Sequence, residues 1–228
     1  MKINGEGKDD SIIDLAEFIC ESDAIENIID DPTLLMKQIR QRKKDGQVGA
    51  MLILERLVQS AMNEGGYLTR ILICKIQELI TAEQHLKKGG MRLESKYVGC
   101  YRSCGVSIQM NGVVIRKCPN PSVVATEMTK LLDRAQDWQE NSRFYGWDYN
   151  LNYIASFHFN FLTIHPFADG NGRTSRALAY YMMRWAGLKP FVFTSHDKQE
   201  KYYPCFNDED NPSPMKKYFL EKFGQKAD

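Results

Sequence analysis

The segment 161-FLTIHPFADGNGRTSRALAYY-181 decides how this chain is interpreted. Apolar and aromatic residues at both ends have the spacing of a buried helix, yet the polar run HPFADGNGRTSR interrupts them at residues 165–176. Glycine and asparagine are turn formers, so this run ends one helix and leads into another. The sequence therefore predicts a helix that ends near Ile164, a loop at residues 165–171, and a new helix that begins near Gly172.

The predicted loop is suited to bind an anion. The first amides of a helix have no partner within the helix, and the helix dipole is positive at that end. Gly170 and Gly172 leave the backbone open to a phosphate. Asn171 tolerates a left-handed backbone, so 169-DGNGR-173 can fold into a nest of N–H groups.

Four side chains of the same run have matching chemistry. Arg173 and Arg176 lie three residues apart and can fork phosphate oxygens. Asp169 offers a hard carboxylate for a Mg²⁺ ion that bridges phosphates, and His165 can take a proton at neutral pH. Together these are the parts for attack by a hydroxyl on a nucleotide phosphate. Taken singly, each residue is more typical of packing, a turn or a solvated face, and their conjunction favours a site. It is not a Walker P-loop, because the chain contains no GxxxxGK[ST].

Bulk composition is that of an ordinary soluble globular protein. The 228 residues are enough for one domain with a sizeable core, or for one domain with a small appendage. Hydrophobic residues make up 43% and charged residues 26%, and the net charge is +1. No overall field favours nucleic acid or an anionic membrane as a partner, so any anion site must be local.

Export and membrane signals are not expected. Residues 1–10 lack the apolar core of a signal peptide, and no run approaches roughly 18 apolar residues. We therefore expect a cytoplasmic protein, with delivery by a secretion machine as the alternative. The six cysteines contain no CxxC pair, and we expect reduced thiols. A metal held by Cys100, Cys104 and Cys118 is a weaker alternative, because their spacing suits no common zinc site.

Helical spacing dominates the rest of the chain and predicts a mainly α fold. Ser11 is expected to cap a first helix whose apolar positions continue through Ile29. Asp31 and Pro32 are expected to cap and begin the next one. Further helices are predicted at about residues 49–63, 69–88, 122–138, 148–164 and 172–185, with two shorter ones after Ser195 and Pro214.

One segment, 105-GVSIQMNGVVIRK-117, has the alternation of a β-hairpin. Val106, Ile108 and Met110 alternate with polar residues, and Asn111-Gly112 is a preferred pair for a two-residue turn. A lone hairpin is barely stable in water. We therefore expect the hairpin to pack on the helices or to bind a partner along its free edge. A surface hairpin without a function is the alternative.

The run HPFADGNGRTSR matches the signature of the Fic family, His-Pro-Phe-x-Asp/Glu-Gly-Asn-Gly-Arg-x-x-Arg. The order of elements around it, including 99-GCYRSCGVSI-108 and the hairpin, is similar to the family over roughly residues 67–223. The resemblance implies a Fic-type helical bundle with the hairpin as a flap beside the active site. It also implies two regions, an N-terminal helical region at residues 1–66 and a Fic core domain at residues 67–228.

The resemblance further implies transfer of AMP from Mg²⁺-bound ATP to a Ser, Thr or Tyr hydroxyl of a target protein. Doc-type phosphotransferases depart from Gly-Asn-Gly, which this chain keeps, so AMP transfer is favoured. In this resemblance His165 is the base, Phe167 is the apolar anchor and Asp169 is the Mg²⁺ ligand. Gly170, Asn171 and Gly172 form the anion hole. Arg173 binds the phosphates, and Arg176 binds the γ-phosphate.

Many Fic proteins carry an inhibitory helix with Ser/Thr-x-x-x-Glu-Gly/Asn, whose glutamate pairs with the second arginine of the signature. Two stretches fit, 22-SDAIEN-27 with Glu26 and 60-SAMNEG-65 with Glu64. Glu26 is preferred because an isoleucine precedes it and the surrounding pattern, at about residues 11–30, is strongly amphipathic. Glu64 lies beside two glycines at a helix exit, which a loop explains.

The flap suggests how a target protein binds. The edge strand at Val106, Ser107 and Ile108 can pair with an extended segment of the target. A Fic protein that uses another nucleotide, one that removes AMP from its target, and a non-enzymatic helical module are the alternatives. Tyr202 and Tyr203 are candidates for the nucleotide base, although bulky aromatic residues are more often core. The target protein and assembly into homo-oligomers are left open.

Overall fold

The protein is a bundle of helices that carries one β-hairpin. The computed structural model describes residues 6–64, 66–110, 113–208 and 210–224, with the backbone alone at 6–11, 13, 61–64, 109–110 and 113–115. The long helices are α1 Glu6–Ile25, α2 Pro32–Arg40, α3 Gly46–Glu64, α4 Arg70–Ala82, α5 Pro121–Asn141, α6 Trp147–Ile164, α7 Asn171–Trp185 and α8 Ser213–Gly224. The strands are β1 Ser107–Met110 and β2 Val113–Lys117. The predicted mainly α fold with one hairpin is confirmed.

Helices α6 and α7 form the centre of the bundle. Helix α6 packs against α5, α7 and α8, and it buries side chains around most of its circumference, including Leu151, Ile154 and Phe157. A helix that is apolar on nearly all sides is one that its neighbours cover. Burial of each large apolar side chain contributes about 1.5–3 kcal/mol, so the junction between α6 and α7 is held rigidly from both sides.

The N-terminal helices pack on the same core. Helix α1 contacts α2 and α7, and α3 contacts α4 and α7. The ring of Phe18 lies 5.0 Å from that of Tyr180 and 6.5 Å from that of Phe193. One cluster of buried apolar side chains therefore extends across residue 66, and the division of the chain at that residue stays a prediction.

Both predicted ends of the first helix are wrong. Helix α1 begins at Glu6, so Ser11 lies within it and does not cap it. It ends at Ile25, because Asn27 adopts a left-handed backbone with φ of 60°. Ile29 then pairs with Lys88 in an isolated β-bridge. Glu26 therefore follows the helix and is not part of it. The predicted cap at Asp31 is confirmed, because its carboxylate accepts from the amides of Thr33 and Leu34.

Two later helices also differ from prediction. Helix α4 begins after its cap Thr69 as expected, but it ends at Ala82, six residues before Lys88. A 3₁₀ turn follows at Gln84–Leu86. The segment after Ser195 forms short turns at Ser195–Asp197, Lys198–Tyr202 and Tyr203–Phe206 in place of an α-helix. Pro204 has no N–H to donate there.

The hairpin contacts helix α6 through Arg116, which donates to the Thr163 carbonyl. Among the described residues the sheet has two strands, so β1 and β2 each have one edge without a partner strand. Ile108 lies opposite Arg116, and a bulge separates Ile108 from Gln109. Because the Cys118 amide donates to the Val106 carbonyl, the amide and carbonyl of Ser107 point away from β2. The predicted turn pair Asn111-Gly112 lies outside the described residues.

The described residues bear on two alternatives, a membrane span and a metal held by cysteines. None of their helices has both the length and the apolar character to cross a membrane. The six cysteines are free thiols. No three His, Cys, Asp or Glu side chains in the described ranges are grouped to hold a metal, and this speaks against a site at Cys100, Cys104 and Cys118.

Candidate active site

The loop between α6 and α7 is fixed by its own backbone and by one asparagine. Helix α6 ends at Ile164, where His165 is left-handed with φ of 53°. The Asn171 side chain donates to the Phe167 carbonyl and accepts from the Phe167 amide, at 2.9 Å in each case. The left-handed residue that begins α7 is Gly170, with φ of 80°, and not Asn171 as predicted. Asn171 instead lies in the first turn of α7, and its side chain hydrogen-bonds to the loop backbone at Phe167.

Phe167 and Arg102 hold this loop against the core. Phe167 is fully buried. The buried Arg102 side chain donates to the His165 carbonyl at 2.7 Å, to the Pro119 carbonyl at 2.7 Å and to the Cys104 carbonyl at 3.0 Å. Its guanidinium thus ties the histidine backbone to the segments that flank the hairpin, and it offsets the strain of a left-handed non-glycine residue. Sequence reasoning missed Arg102, since a lone arginine has no periodic signal.

The first turn of α7 presents free amides. Its first intrahelical bond runs from the Thr174 amide to the Gly170 carbonyl at 2.9 Å, and no side chain caps the helix. The amides of Asn171, Gly172 and Arg173 therefore precede that bond. A Cβ at Gly172 would lie 2.1 Å from Glu26 Oε1, so a carboxylate already sits over this turn.

Glu26 and Arg176 are brought together. The Arg176 Nη2 donates to Glu26 Oε1 at 2.8 Å and to the Ser22 carbonyl at 2.7 Å, and its Nε donates to Ser22 Oγ at 2.9 Å. Arg176 is 1% exposed, whereas Glu26 is 34% exposed and borders solvent. Glu64 is the last residue of α3, and its side chain lies outside the described atoms.

Arg173 and Asp169 lie on the other side of the turn. Arg173 is buried, and its Nε and Nη1 have no hydrogen-bond partner within the described part of the chain, although Nε is 4.0 Å from Asp23 Oδ1. The Asp169 side chain is 44% exposed. Sequence reasoning missed Gln84, whose amide contacts both Asp169 and Arg173.

The His165 imidazole is held as a neutral base. Its Nδ1 lies 3.3 Å from the Leu162 carbonyl, which can only accept, so Nδ1 carries the proton and Nε2 keeps the lone pair. Burial, aided by the Arg102 and Arg116 cations and opposed by the Leu162 carbonyl and Glu26, lowers the pKa of His165 to about 4.

One cavity of about 390 Å³ joins Glu26, His165, Gly172 and Arg176 to the hairpin. The hairpin contributes Ile108 and Arg116, which places the flap beside the site as predicted. Among the described residues, the lining comprises Glu26, Ile108, Arg116, Leu162, His165, Gly172, Arg176, Tyr202, Tyr203, Phe206 and Asn207. Tyr203 and Phe206 contribute aromatic rings to the cavity wall, and Asn207 contributes a side-chain amide. Such a wall suits a flat nucleotide base.

A buried polar chain supports Arg176 from behind. The His158 side chain is fully buried, with Nε2 2.8 Å from the Tyr202 hydroxyl and Nδ1 2.7 Å from Ser175 Oγ. The Tyr202 hydroxyl in turn interacts with Arg176. Burial and the Arg176 charge lower the pKa of His158 to about 3, so this imidazole is neutral. Tyr202 therefore lies behind the arginine, and sequence reasoning missed His158.

A second buried cluster attaches the residues around Glu26 to the core. Lys87 Nζ lies 2.5 Å from Asp23 Oδ2 and 2.7 Å from Asp30 Oδ1. Asp23 is fully buried, and the Asp30 side chain is 4% exposed. Two cationic side chains, Lys87 and Arg176, thus attach this segment to the core through Ser22, Asp23, Glu26 and Asp30. The pattern of the sequence around Glu26 predicted a helix there and gave no sign of this cluster.

Comparison with known proteins identifies the family. A model of the Fic/DOC family matches residues 67–183, just over half of the 228-residue chain. The chain belongs to the Fic/DOC family. The resemblance seen in the signature is therefore confirmed.

Curated Fic relatives match over a short region. The protein adenylyltransferase Fic of Drosophila willistoni is 35% identical over 77 residues, which are 34% of this chain and 15% of that protein. The protein of the same name from Drosophila melanogaster is 34% identical over 77 residues, with the same shares. The chain thus spans about 15% of the length of these curated relatives.

Solved Fic structures share the fold over most of the chain. A Fic domain containing signaling protein from Bacteroides thetaiotaomicron has a TM-score of 0.69 at 20% identity, and the match covers 96% of this chain and 87% of that one. Fic-1 of C. elegans, residues 134–508, has a TM-score of 0.65 at 15% identity, over 98% of this chain and 64% of that one. An N-terminal Fic domain from Bartonella quintana with bound ADP has a TM-score of 0.53 at 18% identity, over 85% of this chain and 86% of that one.

The Fic signature of this chain fits a nucleotide with Mg²⁺. The two unpartnered nitrogens of the buried Arg173 need an anionic partner, and phosphate oxygens would supply it. The absence of a side chain at Gly172 lets the Glu26 carboxylate approach the backbone of this turn, and a phosphate oxygen could approach it in the same way. Asp169 is a single half-exposed carboxylate, and Mg²⁺ at phosphates is commonly held by one or two carboxylates together with phosphate oxygens and water.

Proposed function

We propose that this Fic-domain chain is a protein adenylyltransferase that transfers AMP from Mg²⁺-bound ATP to a hydroxyl side chain of a target protein. The observation that carries the proposal is that a neutral imidazole, His165, lines the same cavity as the open first turn of α7. A base and an anion hole that face one space are what nucleotidyl transfer to an alcohol requires. The name of the Drosophila relatives is consistent with this activity.

In the proposed reaction, the amides of Asn171, Gly172 and Arg173 and the Arg173 side chain bind the phosphates. Asp169 would hold Mg²⁺, which neutralises charge on the phosphate oxygens when bound. His165 Nε2 takes the proton of the target hydroxyl, and the hydroxyl oxygen attacks the α-phosphorus. The bond between this phosphorus and the oxygen that leads to the β-phosphate breaks, and pyrophosphate leaves. The role of the protein is mainly positioning and charge neutralisation.

We propose further that Glu26 inhibits this reaction. Its carboxylate occupies the Arg176 guanidinium at 2.8 Å and overlies Gly172, where it repels a triphosphate. The target protein is proposed to pair with the free edge of β1 at Ser107, which brings its hydroxyl toward His165 without demanding one sequence.

A direct test compares ATP labelled at the α-phosphorus with ATP labelled at the γ-phosphorus. We expect Glu26→Gly to raise automodification from α-labelled ATP by at least about 10-fold, the effect of about 1.4 kcal/mol, and to incorporate no γ-label. Mass spectrometry should find an added AMP. His165→Ala in the same background should abolish labelling, and Glu64→Gly should leave the wild-type level.

The alternatives give different results in this experiment. Label from the γ-position alone would indicate phosphotransfer, and activation by Glu64→Gly with a silent Glu26→Gly would refute the inhibitory role of Glu26. AMP removal is a second candidate, because the Glu26 carboxylate lines the cavity with His165 and can orient water there. If the chain removes AMP, wild type should release AMP from a modified protein and Glu26→Gly should not.

A further inference from the structure

Gln84 is a buried residue whose amide contacts both charged groups on one side of the phosphate-binding turn. Its Nε2 donates to Asp169 Oδ2 at 2.7 Å and to the Met91 carbonyl at 2.6 Å. Its Oε1 accepts from Arg173 Nη2 at 2.6 Å. Gln84 itself is 2% exposed, so its amide is shielded from solvent.

The partners of Gln84 fix the orientation of its amide. Two acceptors, the Asp169 carboxylate and the Met91 carbonyl, face the nitrogen, and one donor, the Arg173 guanidinium, faces the oxygen. A flipped amide would direct its oxygen at two acceptors. A side-chain amide is a neutral group that can accept from a cation and donate to an anion at the same time.

This bridge holds two oppositely charged groups short of a direct hydrogen bond. Asp169 and Arg173 are four residues apart and form an ion pair, but the distance from Asp169 Oδ1 to Arg173 Nη2 is 3.7 Å, longer than a charge-assisted hydrogen bond. If the amide were absent, the guanidinium and the carboxylate would close on each other. A direct hydrogen bond between them would engage the carboxylate that Mg²⁺ needs and the cation that the phosphates need.

We propose that Gln84 is a positioning residue that keeps the Asp169 carboxylate and the Arg173 guanidinium apart and available to Mg²⁺ and to the phosphates of the bound nucleotide. The role rests on the proposed function, because it presupposes Mg²⁺ and a nucleotide at this turn. Gln84 acts through Asp169 and Arg173 and touches neither ligand itself. The contact with Met91 anchors the amide to a segment outside the signature.

The test measures nucleotide binding by calorimetry in the Glu26→Gly background, with ATP titrated at a series of Mg²⁺ concentrations. Gln84→Leu removes both contacts, and we expect it to raise the Mg²⁺ concentration for half-maximal ATP binding by about 10-fold to 100-fold. Gln84→Glu keeps a contact with Arg173 but places a carboxylate against Asp169. We expect it to weaken ATP binding without Mg²⁺ more than Gln84→Leu does, because it neutralises Arg173 and repels the phosphates.

The Mg²⁺ requirement separates positioning from stability. A lower folded fraction reduces the number of binding sites but does not change the Mg²⁺ concentration at which they are half filled. Gln136→Leu is the matched control, because Gln136 is an exposed glutamine whose amide contacts only the nearby Glu140, at 3.4 Å. Circular dichroism checks each fold, and Gln84→Glu, which fills the same space, keeps the test open if the leucine variant does not fold.

Two negative outcomes are distinguishable. An unchanged Mg²⁺ requirement in a folded Gln84→Leu variant, with a parent that binds ATP, would overturn the role of Gln84 alone. Failure of the Glu26→Gly parent to bind ATP with Mg²⁺ would overturn the proposed function, and the role of Gln84 with it.

Discussion

The environment of His165 determines over which pH range this residue can accept a proton. A base acts only while its lone pair is free, and burial disfavours the imidazolium form. The pKa of His165 is lowered from 6.5 to about 4, so the neutral form persists well below neutral pH. The left-handed backbone of this residue is held by the Arg102 guanidinium, which also disfavours a second positive charge nearby.

This environment leads to a prediction for the acid limb of the pH profile. For Glu26→Gly, kcat/KM for ATP should stay level as the pH falls from 8 to about 5.5 and should decline only below it. Its midpoint should be no higher than about 4, because this variant lacks the Glu26 carboxylate that raises the pKa of His165. The sign follows from the protonation state: below its pKa, His165 holds a proton and cannot take one from the target hydroxyl. The midpoint for kcat should lie higher, because bound phosphates stabilise the imidazolium. Automodification rates in a pH series measure both.

Acid unfolding would imitate this decline, so circular dichroism at each pH is the control. A midpoint of kcat/KM near 6.5 in a fully folded sample would show that His165 has an ordinary imidazole environment in solution. It would also remove the electrostatic part of the argument for this base.

The signature residues could be predicted as a group because they lie within twelve consecutive positions. Gln84, Arg102 and His158 could not, since they lie far along the chain and meet the signature only through the fold. Glutamine, arginine and histidine in those positions have no periodicity of their own. Their role depends on partners that the sequence does not place beside them.

At the scale of elements, helix interiors were predictable and helix ends were less so. The end of α1 depends on Asn27, which tolerates the left-handed backbone, and that signal was present in the sequence but outweighed by the apolar positions that follow. Helix α4 ends at Ala82, and Gln84, two residues later, contacts Asp169 of the signature, a contact that no local pattern contains. The hairpin was predicted from its alternation and from the Asn111-Gly112 turn pair, but its bulge was not predicted.

The hairpin yields a prediction about target binding. Ser107→Pro removes an outward amide of β1 and spares the bond from the Cys118 amide to the Val106 carbonyl. If a target segment pairs with β1, this variant should lose most target modification and keep ATP binding. Val106→Pro, by contrast, alters a residue that faces β2 and risks the hairpin itself.

Lys117→Pro is the matched control for this edge. Lys117 lies opposite Ser107, so its amide points away from β1 on the other side of the hairpin. Target modification, measured with labelled ATP and a purified target, should survive in this variant. Equal loss in both variants would show that the hairpin as a whole, and not the β1 edge, is required, and weaker ATP binding in either would indicate misfolding.

At the scale of the whole molecule, one apolar core connects the segment that carries Glu26 to the helices that carry the signature. The local attachment, however, is ionic. Lys87 lies between Asp23 and Asp30, whose side chains are nearly inaccessible, and Arg176 donates hydrogen bonds to Glu26 and Ser22. A charge cluster of this kind is costly to disrupt, because removal of Lys87 takes the shared cation from two buried carboxylates.

Lys87→Met should therefore affect both stability and activity. We expect the free energy of unfolding to fall by about 3–5 kcal/mol, the usual result of removing one partner from a buried pair. Automodification should rise toward the level of Glu26→Gly, because the residues around Glu26 lose their attachment to the core. Urea unfolding and labelled ATP measure the two effects. Lys130→Met is the control, since the exposed Lys130–Glu127 pair should contribute less than about 1 kcal/mol.

The double variant Glu26→Gly with Lys87→Met decides whether the two effects share one cause. If Lys87 acts only by holding the segment that presents Glu26, its loss can add no activation once Glu26 is gone, and the two changes should be non-additive in activity. The loss of stability should persist in the double variant, because Asp23 and Asp30 still lack their cation. Additive activation would mean that Lys87 restrains the site by another route, most directly through Asp23, which lies 4.0 Å from the Arg173 guanidinium.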